Sequence, residues 1–227
     1  MTEEKDIPKV YQKLVLFFDI CSSTSILEDL IRSERQKHWR NVIIALKNFL
    51  REERQKYNFE IYKFIGDGWI LLFEPDFSAN DLFNFLKKLC KKYDTLYKDK
   101  IEGVLASDVG NVGITFGLEK GSLMRVVMNS RVEYIGRALN VAARLQDAIK
   151  DKDSKPQGKV LMSKSVYEDF KTALSSNYRI VDVKRDLRNI SGGENYHAKK
   201  LLLFKKQKKN VSHMRVEDLF PQLKKNK

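Results

Sequence analysis

Apolar positions along this chain fall into short runs and helical repeats that outline its elements one after another. The run Leu14-Val15-Leu16-Phe17-Phe18 predicts a strand near Lys13 to Phe18. Helical segments are predicted through Glu28 to Tyr57, where Trp39, Val42, Ile43, Leu46, Phe49 and Leu50 recur at helical spacing and form a core-facing side. Strands over Glu60 to Ile65 and Trp69 to Phe73 flank the Asp67-Gly68 turn, a hairpin signal because glycine accepts positive φ. A second amphipathic helix over Ser78 to Tyr97 places Leu82, Phe85, Leu86, Leu89 and Tyr93 on one side. Strands over Val112 to Leu118 and Leu123 to Met128 come next, followed by a helix after Gly136 and a loop from Asp151 to Gly158 that contains Pro156. A short strand from Lys159 to Met162, a helix capped by Ser163 and running to about Leu174, and strands near Tyr178 to Val183 and Tyr196 to Phe204 complete the order. Strands and helices alternating around hairpins predict an α+β fold, a ferredoxin-like core of antiparallel sheet and packed helices with extra C-terminal strands.

The candidate chemistry sits where these strands stop. Asp19 ends the first apolar run, and Asp67 lies in the turn Ile65-Gly66-Asp67-Gly68. A sheet that pairs the two strands brings both carboxylates to one edge, and such a pair suits Mg²⁺ or Mn²⁺, which take one or two carboxylates and fill their shells with water and phosphate oxygens. Taken singly, each Asp reads equally well as a turn residue beside glycine. After Asp19 come Ile20, Cys21, Ser22, Ser23 and Thr24, small residues leading into a helical pattern from Ser25. They suit a phosphate cradle at a helix N-terminus, although Thr24 and Ser25 are also ordinary N-caps. In the segment from Glu133 to Arg144, Leu139, Ala142, Ala143 and Leu145 give an apolar helical face, while Asn140 and Arg144 share another. Arginine suits a phosphate gaining charge because its planar guanidinium binds two oxygens at once; on a helix surface it is more often simply solvated.

At these segments the chain resembles the class III nucleotidyl cyclase catalytic domain. The residues that carry the likeness are Phe17-Phe18-Asp19-Ile20, the hairpin Lys63-Phe64-Ile65-Gly66-Asp67, the pair Gly113-Ile114, and Glu133 through Arg144, in that order, within a match spanning roughly residues 13 to 204. The resemblance implies conversion of a ribonucleoside triphosphate to its 3′,5′-cyclic monophosphate and pyrophosphate, the reaction of a phosphorus-oxygen lyase. It implies that Asp19 and Asp67, with the carbonyl of Ile20, hold two divalent cations, Mn²⁺ or Mg²⁺. It assigns Asn140 to the ribose and Arg144 to the α-phosphate, and it implies a head-to-tail homodimer in which the metal aspartates come from one chain and Asn140 and Arg144 from the other.

The base-reading positions depart from the family pattern. Adenine users carry Lys and Asp, and GTP users commonly Glu and Cys, where this chain has Lys63 and Glu133 and fits neither set; if Glu133 projects into the base site, its extra methylene narrows a purine-sized pocket and favours a smaller ring, an effect worth only about 1 to 3 kcal/mol. A second resemblance is to the stand-alone bacterial pyrimidine cyclases of Pycsar anti-phage systems, through residues 18 to 24 and the stretch Ile26-Leu27-Glu28-Asp29-Leu30. It implies UTP or CTP as substrate, cUMP or cCMP as product, and a separate effector that reads the product. An adenylate cyclase and a catalytically silent dimerisation module are the alternatives, and the presence of Asp19, Asp67, Asn140 and Arg144 together favours activity.

Composition adjusts this picture little. The chain of 227 residues with 42% hydrophobic content is globular and suits one catalytic domain, residues 1–204, followed by a basic tail, 205–227. No stretch approaches 18 consecutive apolar residues and the start lacks a signal-peptide core, so a cytoplasmic protein without a membrane span is expected. Two cysteines make neither a disulfide framework nor a zinc set. The net charge of +13 is concentrated in part between Lys199 and Lys209. With no zinc-finger spacing or RNA-binding signature, it reads as solvated charge rather than specific nucleic-acid recognition.

Overall fold

The structure, a computed structural model, describes residues 9–150, 152–174 and 177–204. The basic tail 205–227, including the apolar residues Val216, Leu219, Phe220 and Leu223 that sequence spacing groups on one helical face, lies outside the described residues. The chain runs β1 (Lys9–Cys21), α1 (Ser23–Arg32), α2 (Lys37–Tyr57), β2 (Glu60–Ile65), β3 (Gly68–Phe73), α3 (Ala79–Lys100), β4 (Gly113–Met128), β5 (Arg131–Ile135), α4 (Arg137–Lys150), β6 (Lys159–Ser163), α5 (Lys164–Leu174), β7 (Arg179–Arg185) and β8 (Tyr196–Leu202). The strands form a single sheet in the order β2-β3-β1-β4-β6-β8-β7, with β5 paired to β4. All pairings are antiparallel except β4 with β6, so the expectation of an antiparallel sheet holds apart from that crossover.

Burial on both faces explains why β1 reads as an unbroken apolar run. Leu14, Leu16, Phe18 and Ile20 pack into the large cluster with residues of α1, α2, α3 and α5. Val15 turns the other way and packs with Ala138 and Ala142 of α4. Among the described residues, one helix therefore covers the second face of the sheet, while four cover the first. Each large side chain so buried contributes roughly 1.5–3 kcal/mol.

Helix α4 lies close against the sheet because β4 carries Gly117 beneath it. A methyl group at Gly117 would collide with the carbonyl oxygen of Ala142, so Gly117→Ala is expected to cost roughly 1–3 kcal/mol through overpacking. Chemical denaturation measures this, and unchanged stability would contradict the close seating of α4. The buried residues of α4 are Ala138, Val141, Ala142, Leu145, Gln146, Ala148 and Ile149. Leu139 and Ala143, placed on the apolar face by sequence spacing, are only half-buried, because the face is centred one position away.

A buried acid holds the segment after α3. Asp29 of α1 accepts the N–H groups of Ala106 and Ser107 at 2.9 Å each and the Ser107 hydroxyl. The Ser107 hydroxyl first, and then the Ala106 N–H, hold its pKa below the usual carboxylate value. A depressed carboxylate pKa supplies stability above the unfolded value and loses it as pH falls. Asp29→Ala is accordingly expected to lower the thermal midpoint by several degrees near neutrality and by less in acid. A difference that grew toward low pH would contradict this role.

Candidate active site

The two candidate aspartates meet because their strands are neighbours. Asp19 pairs in register with Gly68 across β1 and β3, which puts Asp67, the residue before Gly68, beside it at the same sheet edge. The turn is a two-residue loop, Gly66-Asp67, in which Gly66 has φ +65°. Positive φ at the first loop position alone is the pattern of a type II′ hairpin, so the conformational demand falls on Gly66 rather than on Gly68. Burial pushes the Asp19 carboxyl up to about 6, with the nearby charge of Asp67 adding to the rise and Lys150 opposing it. The influence of Asp67 on the Asp19 carboxyl places the two side chains close together.

Two further side chains complete the cluster. The Lys150 ammonium, on the last residue of α4, pairs with Asp19 Oδ2. The Ser23 hydroxyl donates to Asp67 Oδ2. Behind them, buried Gln146 donates to Thr115 Oγ1 at 2.7 Å, and Thr115 Oγ1 in turn donates to the Asp19 carbonyl at 3.5 Å, linking α4 through β4 to the end of β1.

The small-residue stretch turns sharply at Ser22, which has φ 58° and precedes α1. The helix starts at Ser23, earlier than the Ser25 expected from sequence, and neither Thr24 nor Ser25 caps it. Ser22 donates its hydroxyl to the Asn111 carbonyl at 2.8 Å. The N-terminal turn of α1 therefore lies beside Asp67, where its unpaired N–H groups favour negative charge. Cys21 is buried, and burial pushes its thiol up to about 11, so it is neutral and unreactive at pH 7. Thr24 is exposed, whereas Ser23 is buried with its hydroxyl committed to Asp67. Ile20, also buried, is the strand residue directly after Asp19.

Asn140 and Arg144 occupy the less buried side of α4, as their spacing predicts. Arg144 Nη1 pairs with Asp147 at 3.1 Å on its own helix. Among the described residues, the cation that reaches Asp19 is Lys150, not Arg144.

Lys63 and Glu133, far apart in sequence, come together. Lys63 Nζ lies 3.0 Å from Glu133 Oε2, and the Tyr62 hydroxyl donates to the same oxygen at 2.7 Å. Tyr62 also accepts the Tyr134 N–H at 2.9 Å. Its hydroxyl bond and then Lys63 hold the Glu133 carboxyl below its ordinary pKa. These residues line an open cavity of about 670 Å³ along with Arg131 and Asn129. Glu133 lies on β5, a strand absent from the sequence-based expectation, and α4 begins only at Arg137.

The donor set fits hard divalent cations. The edge offers two carboxylates with a backbone carbonyl between them in the chain, and no cluster of three or more acid, histidine or cysteine ligands occurs among the described residues. Two carboxylates suffice for Mg²⁺ or Mn²⁺ when a triphosphate supplies the remaining oxygens. Sequence reasoning missed Lys150 and Tyr62. The first has no motif around it, and its role follows only from the seating of α4 on the sheet; the second adjoins Lys63, but its orientation depends on pairing with β5 residues.

No protein-family model matches the chain, and no curated protein matches it in sequence. Among solved structures, the fold is similar to the adenylyl cyclase CyaB from P. aeruginosa, with TM-score 0.67 and 19% identity, covering 88% of this chain and 98% of that one. The guanylyl cyclase Cya2 matches with TM-score 0.64 and 14% identity over 89% of this chain and 97% of that one. The guanylate cyclase domain of RhGC from Catenaria anguillulae in complex with GTP matches with TM-score 0.56 and 18% identity over 87% and 100%. The chain thus has the α+β fold of class III adenylyl and guanylyl cyclase catalytic domains. No helix among the described residues is long and apolar enough to cross a membrane.

Proposed function

We propose that this protein is a class III nucleotide cyclase that converts a ribonucleoside triphosphate to its 3′,5′-cyclic monophosphate and pyrophosphate. The observation that carries the reading is the convergence of Asp19 and Asp67 at adjoining strand ends, on a fold shared with adenylyl and guanylyl cyclases. Asp19 and Asp67, with the Ile20 carbonyl, hold two divalent cations. When bound, these supply charge that lowers the pKa of the ribose 3′-hydroxyl and neutralises the triphosphate. The first turn of α1, with the backbone of Cys21 to Thr24, receives phosphate oxygens. Asn140 orients the ribose, and Arg144 steadies the charge that grows on the α-phosphate.

Within one chain Arg144 turns to Asp147, so a second copy brings Asn140 and Arg144 to the aspartates in a head-to-tail homodimer. Exposed Val127, Met128, Val132 and Ile135 on β4 and β5, with Phe64 and Ile65 on the β2–β3 hairpin, give apolar surface suited to such a contact.

The base preferred is a pyrimidine, UTP or CTP. Glu133 supports this, because its longer side chain reaches Tyr62 and Lys63 and occupies the ground between them. Lys63 favours the second reading, an adenylate cyclase, since lysine at this place marks adenine users. A role in anti-phage defence, with a separate effector reading the product, belongs to the pyrimidine reading. Incubating the purified protein with each of the four ribonucleoside triphosphates and Mn²⁺, with products identified by mass, tests both. Dominant cUMP or cCMP is expected and chelator abolishes it; cAMP alone selects the second reading, and no product from any triphosphate overturns cyclase activity.

Lys150 bears on the cation requirement. Its ammonium already neutralises Asp19, so a divalent ion must work against it. Lys150→Met is expected to tighten nucleotide-free Mn²⁺ binding several-fold, read by electron paramagnetic resonance of unbound Mn²⁺. Weaker binding in this variant would show that the ammonium organises the carboxylates instead of competing for them.

A further inference from the structure

Beyond α4, the loop leading into β6 and the adjoining ends of β6, β7 and β8 enclose a second cavity, of about 430 Å³. Four cations line it, Lys155, Lys159, Arg179 and Lys200, and no carboxylate does. The strand register creates this concentration: Lys159 on β6 and Arg179 on β7 both pair with Leu202 of β8, so two positive side chains flank one apolar position on a common face. The rest of the lining is apolar, chiefly Val181, Leu202 and Phe204.

Among the described residues, the counter-charge paired with cations of this cavity comes from a single acid, Asp153. Asp153 Oδ1 lies 2.8 Å from Lys200 Nζ and 3.1 Å from Lys159 Nζ, and its Oδ2 lies 3.8 Å from Arg185 Nη2. The Lys159, Lys200, Arg185 and Asp153 side chains are 15%, 17%, 11% and 11% exposed. One carboxylate thus serves three largely buried cations, although buried charge is costly unless paired. Lys155 and Arg179 have no carboxylate partner among the described residues.

We propose that this cavity is a binding site for a small phosphate ester, the phosphate held by Lys155, Lys159, Arg179 and Lys200 and the organic group resting on Val181, Leu202 and Phe204. A phosphate dianion offers several oxygens to converging cations and supplies the missing negative charge. The apolar wall selects an ester over the free ion. This site is independent of the cyclase reading, since none of its residues takes part in that chemistry.

The test is amide NMR titration of the full-length protein with phenyl phosphate and, separately, inorganic phosphate. Excess chelator suppresses phosphate binding through divalent ions at Asp19. The expected result is saturable shifts centred on Lys155, Arg179, Val181 and Leu202, with phenyl phosphate tighter than inorganic phosphate. Lys155→Ser and Arg179→Ser leave the Asp153 cluster intact, so each is expected to keep the wild-type thermal midpoint and weaken phenyl phosphate at least several-fold. Shifts that are absent, centred elsewhere, or indifferent to both substitutions would overturn the site. Equal affinity for the two ligands would overturn the ester selectivity.

Discussion

Replacing Asp67 by alanine is expected to reduce cyclisation by about a thousandfold or more, while leaving the fold at least as stable as before. The expected loss follows from the several kcal/mol that a correctly held cation contributes to a reaction of this kind, at roughly tenfold per 1.36 kcal/mol. The stability follows from the local charges. Asp67 adds to the upward shift of the Asp19 carboxyl, so its removal relieves repulsion, which offsets the loss of the Ser23 bond. A purely structural turn residue would behave in the opposite way, losing stability and activity together. Activity assays and thermal unfolding of the same preparation separate the two roles, and Asp19→Ala should match the activity loss. Wild-type turnover in both variants would exclude this edge as the reaction site.

Arg144→Ala is expected to lower kcat by about a hundredfold to a thousandfold, the usual cost of losing one donor to a charge that develops in the transition state. KM should change little, because the guanidinium acts on the α-phosphate after the triphosphate is already held elsewhere. Its partner in the single chain is Asp147 on the surface of α4, and exposed pairs of this kind are worth at most about 1 kcal/mol. Folding should therefore be unaffected. A rise in KM with unchanged kcat would move Arg144 from the reacting phosphate to uniform substrate binding.

Much of this arrangement was legible in the amino-acid order because the informative residues interrupt local patterns. Asp19 ends an apolar run and Asp67 sits between glycines, and the pairing of β1 with β3 brings them together as expected. That Asn140 and Arg144 share the less buried side of α4 followed from helical spacing, while the roles proposed for them rest on the resemblance to cyclases. What stayed hidden depends on long-range packing. Strand β4 runs unbroken from Gly113 to Met128, through Glu119 to Ser122, where polar residues and a glycine suggested a gap. Glu119 is buried there because Ser163 and Tyr196 donate to it. Strand β5 was missed because Arg131 to Ile135 is short and mostly exposed, and with it went the Tyr62 contact to Glu133. Lys150 had no local signal, since its partner Asp19 stands at the other end of the sequence. The lysines near the end of the domain looked like plain solvated charge, but Lys200 is mostly buried against Asp153 and Lys199 pairs with Asp182 at 2.6 Å.

In the proposed enzyme each reaction site combines Asp19 and Asp67 of one subunit with Asn140 and Arg144 of another. Mixing Asp67→Ala and Arg144→Ala proteins under conditions that allow subunit exchange tests it most directly. Half of the dimers in an equimolar mixture carry one variant of each kind, and each of these contains one undamaged site of two, so activity should recover to about a quarter of the wild-type level. A mixture no more active than its separate components, with exchange shown to have occurred, would contradict a shared site.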